Sequence, residues 1–313
     1  MRKGAFVRSR PGTRGAATGL EIVPAAADLY PAARAIVAAA PILHVHIGAR
    51  LRQGGAGRGT PELWALLDGE VPAAFVQRGR GVAWAIDVPR KGDERVATAL
   101  GHFVASSPMS HEILFGPEDE AARILDAARK YGRKLVEIRR QQMMATTGPP
   151  APDKPVAVRG FAMRASLRPD LPWLLDTHAA MCREDLGVDQ VGRNRSAYEG
   201  YFSGLIKRGR SYVIEVQGRR VGKAEVPLTS DHAWLVEGVF TVPELRGQGL
   251  ATRMMAELVA AAWADHRATC LYVHRRNKRA VAVYERVGFQ TISPWTTAVA
   301  GPDDGRPERP AEW

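Results

Sequence analysis

The 313-residue sequence predicts an α/β fold built from two related halves. Three observations carry that prediction. Segments rich in β-branched and aromatic residues alternate with longer runs that keep an apolar helical face, among them LATRMMAELVAAAWA, which holds no glycine or proline. The succession strand, Val-Pro, turn, helix occurs twice, in GVAWAIDVPRKGDERVATALGHF at 81–103 and in HAWLVEGVFTVPELRGQGLATRMMAELV from His232. Between the two, TTGPPAPDKP at 146–155 sets four prolines among small polar residues, the composition of a linker.

The start, residues 1–20, is basic and broken by Gly, Pro and Arg before any apolar core forms, so it reads as a disordered leader rather than a signal peptide. A first domain at 21–145 follows, then the linker, a second domain at 156–300 and a mobile tail at 301–313. In the second domain FAMRASL is a strand, and WLLDTHAAMCREDLG and RSAYEGYFSGLIKRG are helices. SYVIEVQ and VGKAEVPL form a hairpin around Gly-Arg. A strand over about 233–242 is closed by Pro243. A helix from Leu250, the strand CLYVH, a helix holding Tyr284 and a last strand near PWTTAV complete the chain.

Composition narrows the classes. With 45% hydrophobic and 25% charged residues the chain is that of a soluble globular protein, and no apolar run approaches the roughly 18 residues of a membrane span. Cys182 and Cys270 make no disulfide framework, which suits a reducing cytoplasm. His178 and Cys182 stand one helical turn apart but have no third ligand in view, so no metal is expected. A net charge of +11 favours anionic partners such as coenzyme A, nucleic acid or an acidic protein, without choosing among them.

The chemistry concentrates in the turn TVPELRGQGLATRM at 241–254. A helix start leaves amide N–H groups unpaired, and glycines let a ligand approach them, so the turn is a candidate phosphate site. It does not fit a dinucleotide fingerprint, which needs a small residue where Thr252 stands and an acidic residue closing CLYVH. Nor is it a Walker loop, since Leu250 and Ala251 follow the second glycine.

TVPELRGQGLA at 241–251 resembles the acyl-CoA pyrophosphate loop of the GNAT superfamily of N-acyltransferases. LYVHRRNKRAVAVYERVGF at 271–289 resembles the later motif of the same superfamily: a strand, an Asn opening a helix, a Tyr seven residues on, then VGF. YVIEVQGRRVGKAEV and the ending from VGF to WTTAV are similar to actinobacterial GNAT proteins with an extra domain in front. The resemblance implies an α/β (α+β) fold of tandem GNAT-like domains, each a mixed, mainly antiparallel central sheet flanked by helices. It implies acetyl-CoA or another acyl-CoA as co-substrate and an amine-bearing small molecule or peptide as acceptor.

Carried onto this sequence, the amides of Gly247, Gln248, Gly249, Leu250, Ala251 and Thr252 hold the diphosphate with Arg246 nearby, and the backbone of Val239, Phe240 and Thr241 pairs with pantetheine. Asn277 bonds the pantetheine amides or caps its helix. Tyr284 donates a proton to the departing thiolate, or only packs beneath the pantetheine. Glu237 is the best-placed base, with Glu225 and His232 in reserve. The glutamate that some GNAT proteins keep five residues before the Asn is here Tyr272, so that base does not carry over. Arg275, Arg276, Lys278 and Arg279 meet the 3′-phosphate of CoA or an anionic acceptor, or are a solvated helix start.

The first half reads as a degenerate copy. Asp93 and Glu94 put negative charge where diphosphate would sit. With Gly132 laid on Gly288, Ala128 takes the tyrosine's place and Ala121 the asparagine's. Two rival functions stay open: transfer of an aminoacyl group from tRNA by paired GNAT-like domains, which the basic surface suits, and a non-catalytic acyl-CoA-binding regulatory module. The acceptor and the oligomeric state are not legible.

Overall fold

The computed structural model describes residues 13–14, 18–54, 63–79, 81–107, 109, 112–151, 158–187 and 189–301. Its first half runs β1 (Thr13–Arg14), β2 (Glu21–Pro24), α1 (Tyr30–Ala39), α2 (Val45–Arg52), β3 (Leu63–Asp68), β4 (Val71–Arg78), β5 (Val82–Ile86), α3 (Glu94–Ala105), β6 (Glu112–Pro117), α4 (Glu118–Lys130) and β7 (Lys134–Thr146). The second runs β8 (Phe161–Ala165), α5 (Leu171–Leu186), α6 (Gln190–Arg193), α7 (Arg195–Lys207), β9 (Ser211–Val216), β10 (Arg219–Thr229), β11 (Ala233–Thr241), α8 (Leu250–Ala264), β12 (Ala268–His274), α9 (Lys278–Val287) and β13 (Gln290–Gly301). From β2 to β7 and from β8 to β13 the order is the same, except for the short α6. Both halves thus fold as strand, two helices, three strands, helix, strand, helix, strand.

The two sheets are joined into one, in the order β1-β2-β3-β4-β5-β6-β13-β7-β12-β11-β10-β9-β8. All neighbours are antiparallel except β5 with β6 and β11 with β12. The join is reciprocal. β7, the last strand of the first half, pairs with β12, and β13, the last of the second, pairs with β6. The two meet each other at the centre. The expected boundary at 146–155 therefore divides the sequence but not the sheet, and of that stretch 152–155 lie outside the described residues. Of the segment read as a leader, Thr13 and Arg14 pair with β2 and most of the rest lies outside the described residues, as do 302–313 of the tail.

Side-chain alternation on the strands sorts the helices into two layers. On one face α3 and α4 cover Leu66, Trp84 and Leu114, and α8 and α9 cover Met144, Trp234 and Leu271. On the other, α1 and α2 cover Ala65 and Phe75, and α5 and α7 cover Val213. Between these a central cluster of Val45, Met143, Ala145, Leu235, Cys270 and Trp295 mixes residues of both halves. Helix α2 leans onto the second half, where Arg52 Nη1 donates to Thr229 Oγ1 at 3.2 Å. Among the described residues no helix is long and apolar enough to cross a membrane.

Candidate functional site

Strands β11 and β12 run parallel through Ala233↔Ala268, Trp234↔Thr269 and Leu235↔Cys270, and there their pairing stops. Beyond that rung β11 stays with β10, to Gly222↔Thr241, while β12 stays with β7, to His274↔Gln141. The sheet is parted between them, and Val239, Phe240 and Thr241 lie along the open side. A bulge helps to turn β11 away: two steps on β10, from Lys223 to Glu225, are matched by three on β11, from Phe240 to Glu237. Its pivot is Gly238, at φ 62°, where a Cβ would run into the Glu225 carboxylate. At the end of the gap the Thr241 hydroxyl is buried and has no hydrogen-bond partner among the described residues.

The gap leads into a 3-10 turn, Pro243–Leu245, then Arg246 and the two glycines, at φ 80° for Gly247 and 77° for Gly249. No side chain caps α8, so its first amides are left for a ligand. Gln248 is exposed, Ala251 and Thr252 are half-buried, and Leu250 is 2% exposed with its side chain in the core. Arg246 is tied on three sides. Its Nε donates to Thr241 O at 3.0 Å, its Nη2 to both oxygens of Glu184 at 3.1 and 2.8 Å, and its guanidinium lies 5.3 Å from the Phe240 ring centre. The Glu184 pair is exposed and contributes little to stability.

On the helix side of the gap Tyr284 is buried, 5.8 Å from Phe289 ring to ring. Burial, and then the Asp185 carboxylate, push its phenol above the usual value. Asp185 belongs to α5, on the opposite face of the sheet. Asn277 is the N-cap of α9, its Oδ1 accepting from Ala280 N at 3.1 Å.

Glu237 lies on the opposite face from Tyr284 and accepts a hydrogen bond from Tyr272 Oη at 2.5 Å. Its cross-strand partner is Glu225. Glu225 is 1% exposed, and both its oxygens are bonded to Lys223 Nζ at 3.0 Å, so this reserve base is already engaged by a cation. Lys223 also donates to Gly238 O at 3.0 Å. Burial pushes Glu225 up to about 7 against the pull of Lys223. His232, the other reserve, is exposed at the β10–β11 turn, the end of β11 remote from the gap, and is not part of the site.

The remaining predicted residues separate. Arg275 turns to the first half, Nε donating to Gln141 O at 3.0 Å and Nη2 pairing with Glu118. Arg276, Lys278 and Arg279 are exposed around the start of α9. His178 packs against Tyr198 and Phe202, and burial raises the Cys182 thiol, as for a core cysteine. Sequence reasoning did not find Tyr272, Lys223 or Glu184. The contacts of Tyr272 and Glu184 link residues far apart in the chain, and their only local signal is the alternation of buried and exposed positions.

In the first half β5 and β6 pair at Val82↔Leu114 and Ala83↔Phe115, and the next position is filled. The Trp84 indole lies where a Cβ on Gly116 would stand, and its Nε1 donates to Glu120 Oε2 at 2.8 Å. Asp93 caps α3 by accepting from Arg95 N at 2.9 Å, and Arg90 pairs with Asp68 at 2.8 Å. The Asp93 carboxylate satisfies the helix start here, where in the second half no side chain does.

Comparison with known proteins bears on this geometry. Residues 207–291 match the family model described as "Acetyltransferase (GNAT) domain". No curated protein matches the chain. Among solved structures, a GCN5-related N-acetyltransferase from Sphaerobacter thermophilus is 16% identical, over 90% of this chain and 95% of that one, with a TM-score of 0.59. A GNAT-family acetyltransferase from Colwellia psychrerythraea is 13% identical over 90% and 98%, with a TM-score of 0.54. A tandem GNAT protein from the clavulanic acid biosynthesis pathway is 14% identical over 91% and 100%, with a TM-score of 0.51. These likenesses establish a shared fold across nearly the whole chain.

Proposed function

The chain carries a GNAT acetyltransferase domain at residues 207–291, and from that premise we propose that it is an N-acyltransferase moving an acyl group, acetyl in the simplest case, from coenzyme A to an amine. The observation that carries this reading is the parting of β11 from β12 beyond Leu235 and Cys270, directly before a helix start that no side chain caps. Pantetheine lies in the gap as an added strand along Val239, Phe240 and Thr241, with the Thr241 hydroxyl within the same edge. The diphosphate rests on the amides from Gly247 to Thr252. Arg246 exchanges Glu184 for a phosphate oxygen, one charge-assisted pair for another. Asn277 caps with its oxygen and keeps two N–H donors for the pantetheine carbonyls.

An alkylamine of pKa about 10 arrives as ammonium and must lose a proton before attack. Glu237 takes that proton. The amine nitrogen bonds to the thioester carbon, amides of the β11 edge hold the developing oxyanion, and the carbon–sulfur bond then breaks. Tyr284 gives its proton to the departing thiolate, the acylated nitrogen sheds its second proton to solvent, and the tyrosinate takes one back from solvent. A phenol whose pKa burial has raised stays protonated near neutrality, so it stands as an O–H donor toward the sulfur as charge develops there. The first half, with Trp84 and Asp93 where the second half has a gap and open amides, supplies neither a CoA site nor a reacting group. The open phosphate loop favours acyl-CoA over aminoacyl-tRNA as donor, because a tRNA-dependent enzyme has no use for it.

Calorimetry with acetyl-CoA tests the site. One molecule should bind per chain, and the double variant Gly247→Glu, Gly249→Glu should bind none, since it forces side chains into positive φ and sets carboxylates against the diphosphate. Absence of binding to the unsubstituted protein would sink the proposal. Turnover, read as thiol release against a panel of amines, distinguishes an enzyme from a binding module. Tyr284→Phe should lower kcat about 100-fold with little change in acetyl-CoA affinity; an unchanged kcat would return Tyr284 to a packing role.

A further inference from the structure

We infer that Tyr272 is the positioning residue for Glu237, and that the first half of the chain acts on the chemistry by holding Tyr272 in place. The inference rests on the reading of Glu237 as the base. The last backbone rung between β11 and β12 joins Leu235 to Cys270. Two residues further along each strand, on the same face, stand Glu237 and Tyr272, and Tyr272 Oη donates to Glu237 Oε1 at 2.5 Å. The bond is the next rung of the ladder, made by side chains where the backbones have separated. Glu237 would otherwise sit on a bulged strand beside the negative Glu225.

The tyrosine ring is not free to turn. It stacks on Trp295 at 6.0 Å and 9°, with Phe115 at 6.1 Å and His46 at 6.5 Å. His46 and Phe115 belong to α2 and β6 of the first half, and Trp295 to β13, which lies between β6 and β7. Burial and the adjacent Glu237 carboxylate raise the Tyr272 phenol well above its usual value, so it remains a donor throughout the working pH range. A fixed O–H donor stabilises the charged form of the carboxylate it faces. It also occupies Oε1 and leaves Oε2 for the amine.

The test uses the full chain with 13C in its glutamate carboxyl groups, and the Glu237 signal is identified by its loss in Glu237→Gln. In Tyr272→Phe, which keeps the ring stack, that signal should change its chemical shift at fixed pH as the carboxylate loses its donor, and kcat should fall about tenfold while acetyl-CoA affinity stays the same. An unmoved signal or an unchanged kcat overturns the inference. Should Tyr272→Phe fail to fold, the unsubstituted protein decides. Its spectrum should hold a far-downfield tyrosine hydroxyl proton that vanishes in Glu237→Gln, and the absence of that proton overturns the inference equally. Failure of acetyl-CoA to bind would sink the transferase reading by a separate measurement.

Discussion

Residues 156–313, produced without the preceding half, are expected to give no cooperatively melting monomer. In the whole chain β7 lies between β12 and β13, so removing it takes away both ladders at once and leaves two strand edges facing an empty space. Met143 and Met144 are fully buried on opposite faces of β7, one in the central cluster and one under α8 and α9. Each such side chain contributes roughly 1.5–3 kcal/mol, and total stabilities are only about 5–15 kcal/mol. Unpaired edges with apolar neighbours aggregate. Circular dichroism melts and size-exclusion chromatography check the result, and co-production of residues 1–151 should restore a soluble complex. A monomeric second half with a sharp melt would show that β13 can close directly onto β12 and that the interleaving is dispensable.

Lys223→Met is expected to destabilise the full chain by about 3–5 kcal/mol in urea or thermal melts near neutral pH. Lys223 is 0% exposed and supplies the hydrogen bonds to both oxygens of Glu225, so its loss strands a carboxylate inside the sheet. Replacing both residues, as Lys223→Met with Glu225→Leu, should recover most of the loss, because an apolar pair of similar volume needs no counter-charge. The pH dependence has a definite sign. A carboxyl whose pKa is raised in the folded state binds its proton more tightly there than in the unfolded chain, so it favours folding as pH falls from about 7 toward the unfolded value and disfavours it above. Without Lys223 that rise is larger, and the deficit of Lys223→Met should shrink markedly by pH 5. A deficit independent of pH would mean that the lysine acts by packing, through its stem and the Phe202 ring 5.5 Å from its ammonium.

Much of the site could be read before the structure because its signals are local. The uncapped start of α8, the two glycines at positive φ and the Asn277 cap follow from residues adjacent in the chain. The repeated order of elements was legible from alternation in the same way. What stayed hidden depends on which strand lies beside which. Alternation tells β7 which of its side chains are inward but not that its neighbours are β12 and β13. Tyr272 and Glu237 meet only because β11 and β12 are parallel and in that register, and Arg246 in the turn before α8 reaches Glu184 on α5. Lys223 misleads for a related reason. A lysine on a hairpin strand is ordinarily solvated, but helices cover both faces of β10, and six consecutive positions there are buried.

The interleaving also governs when this chain can fold. As it emerges from the ribosome, β6 is complete long before β13, and β7 long before β12. Neither strand of the first half can acquire its native neighbour from the second until most of the second has been made. Contacts of such sequence separation close slowly, and the waiting edges are open to other chains in the meantime. Folding of the centre of the sheet thus waits for the second half, with β13 as the strand that completes it. Truncated or stalled products ending before Gln290 lack that strand and leave the β6 edge bare.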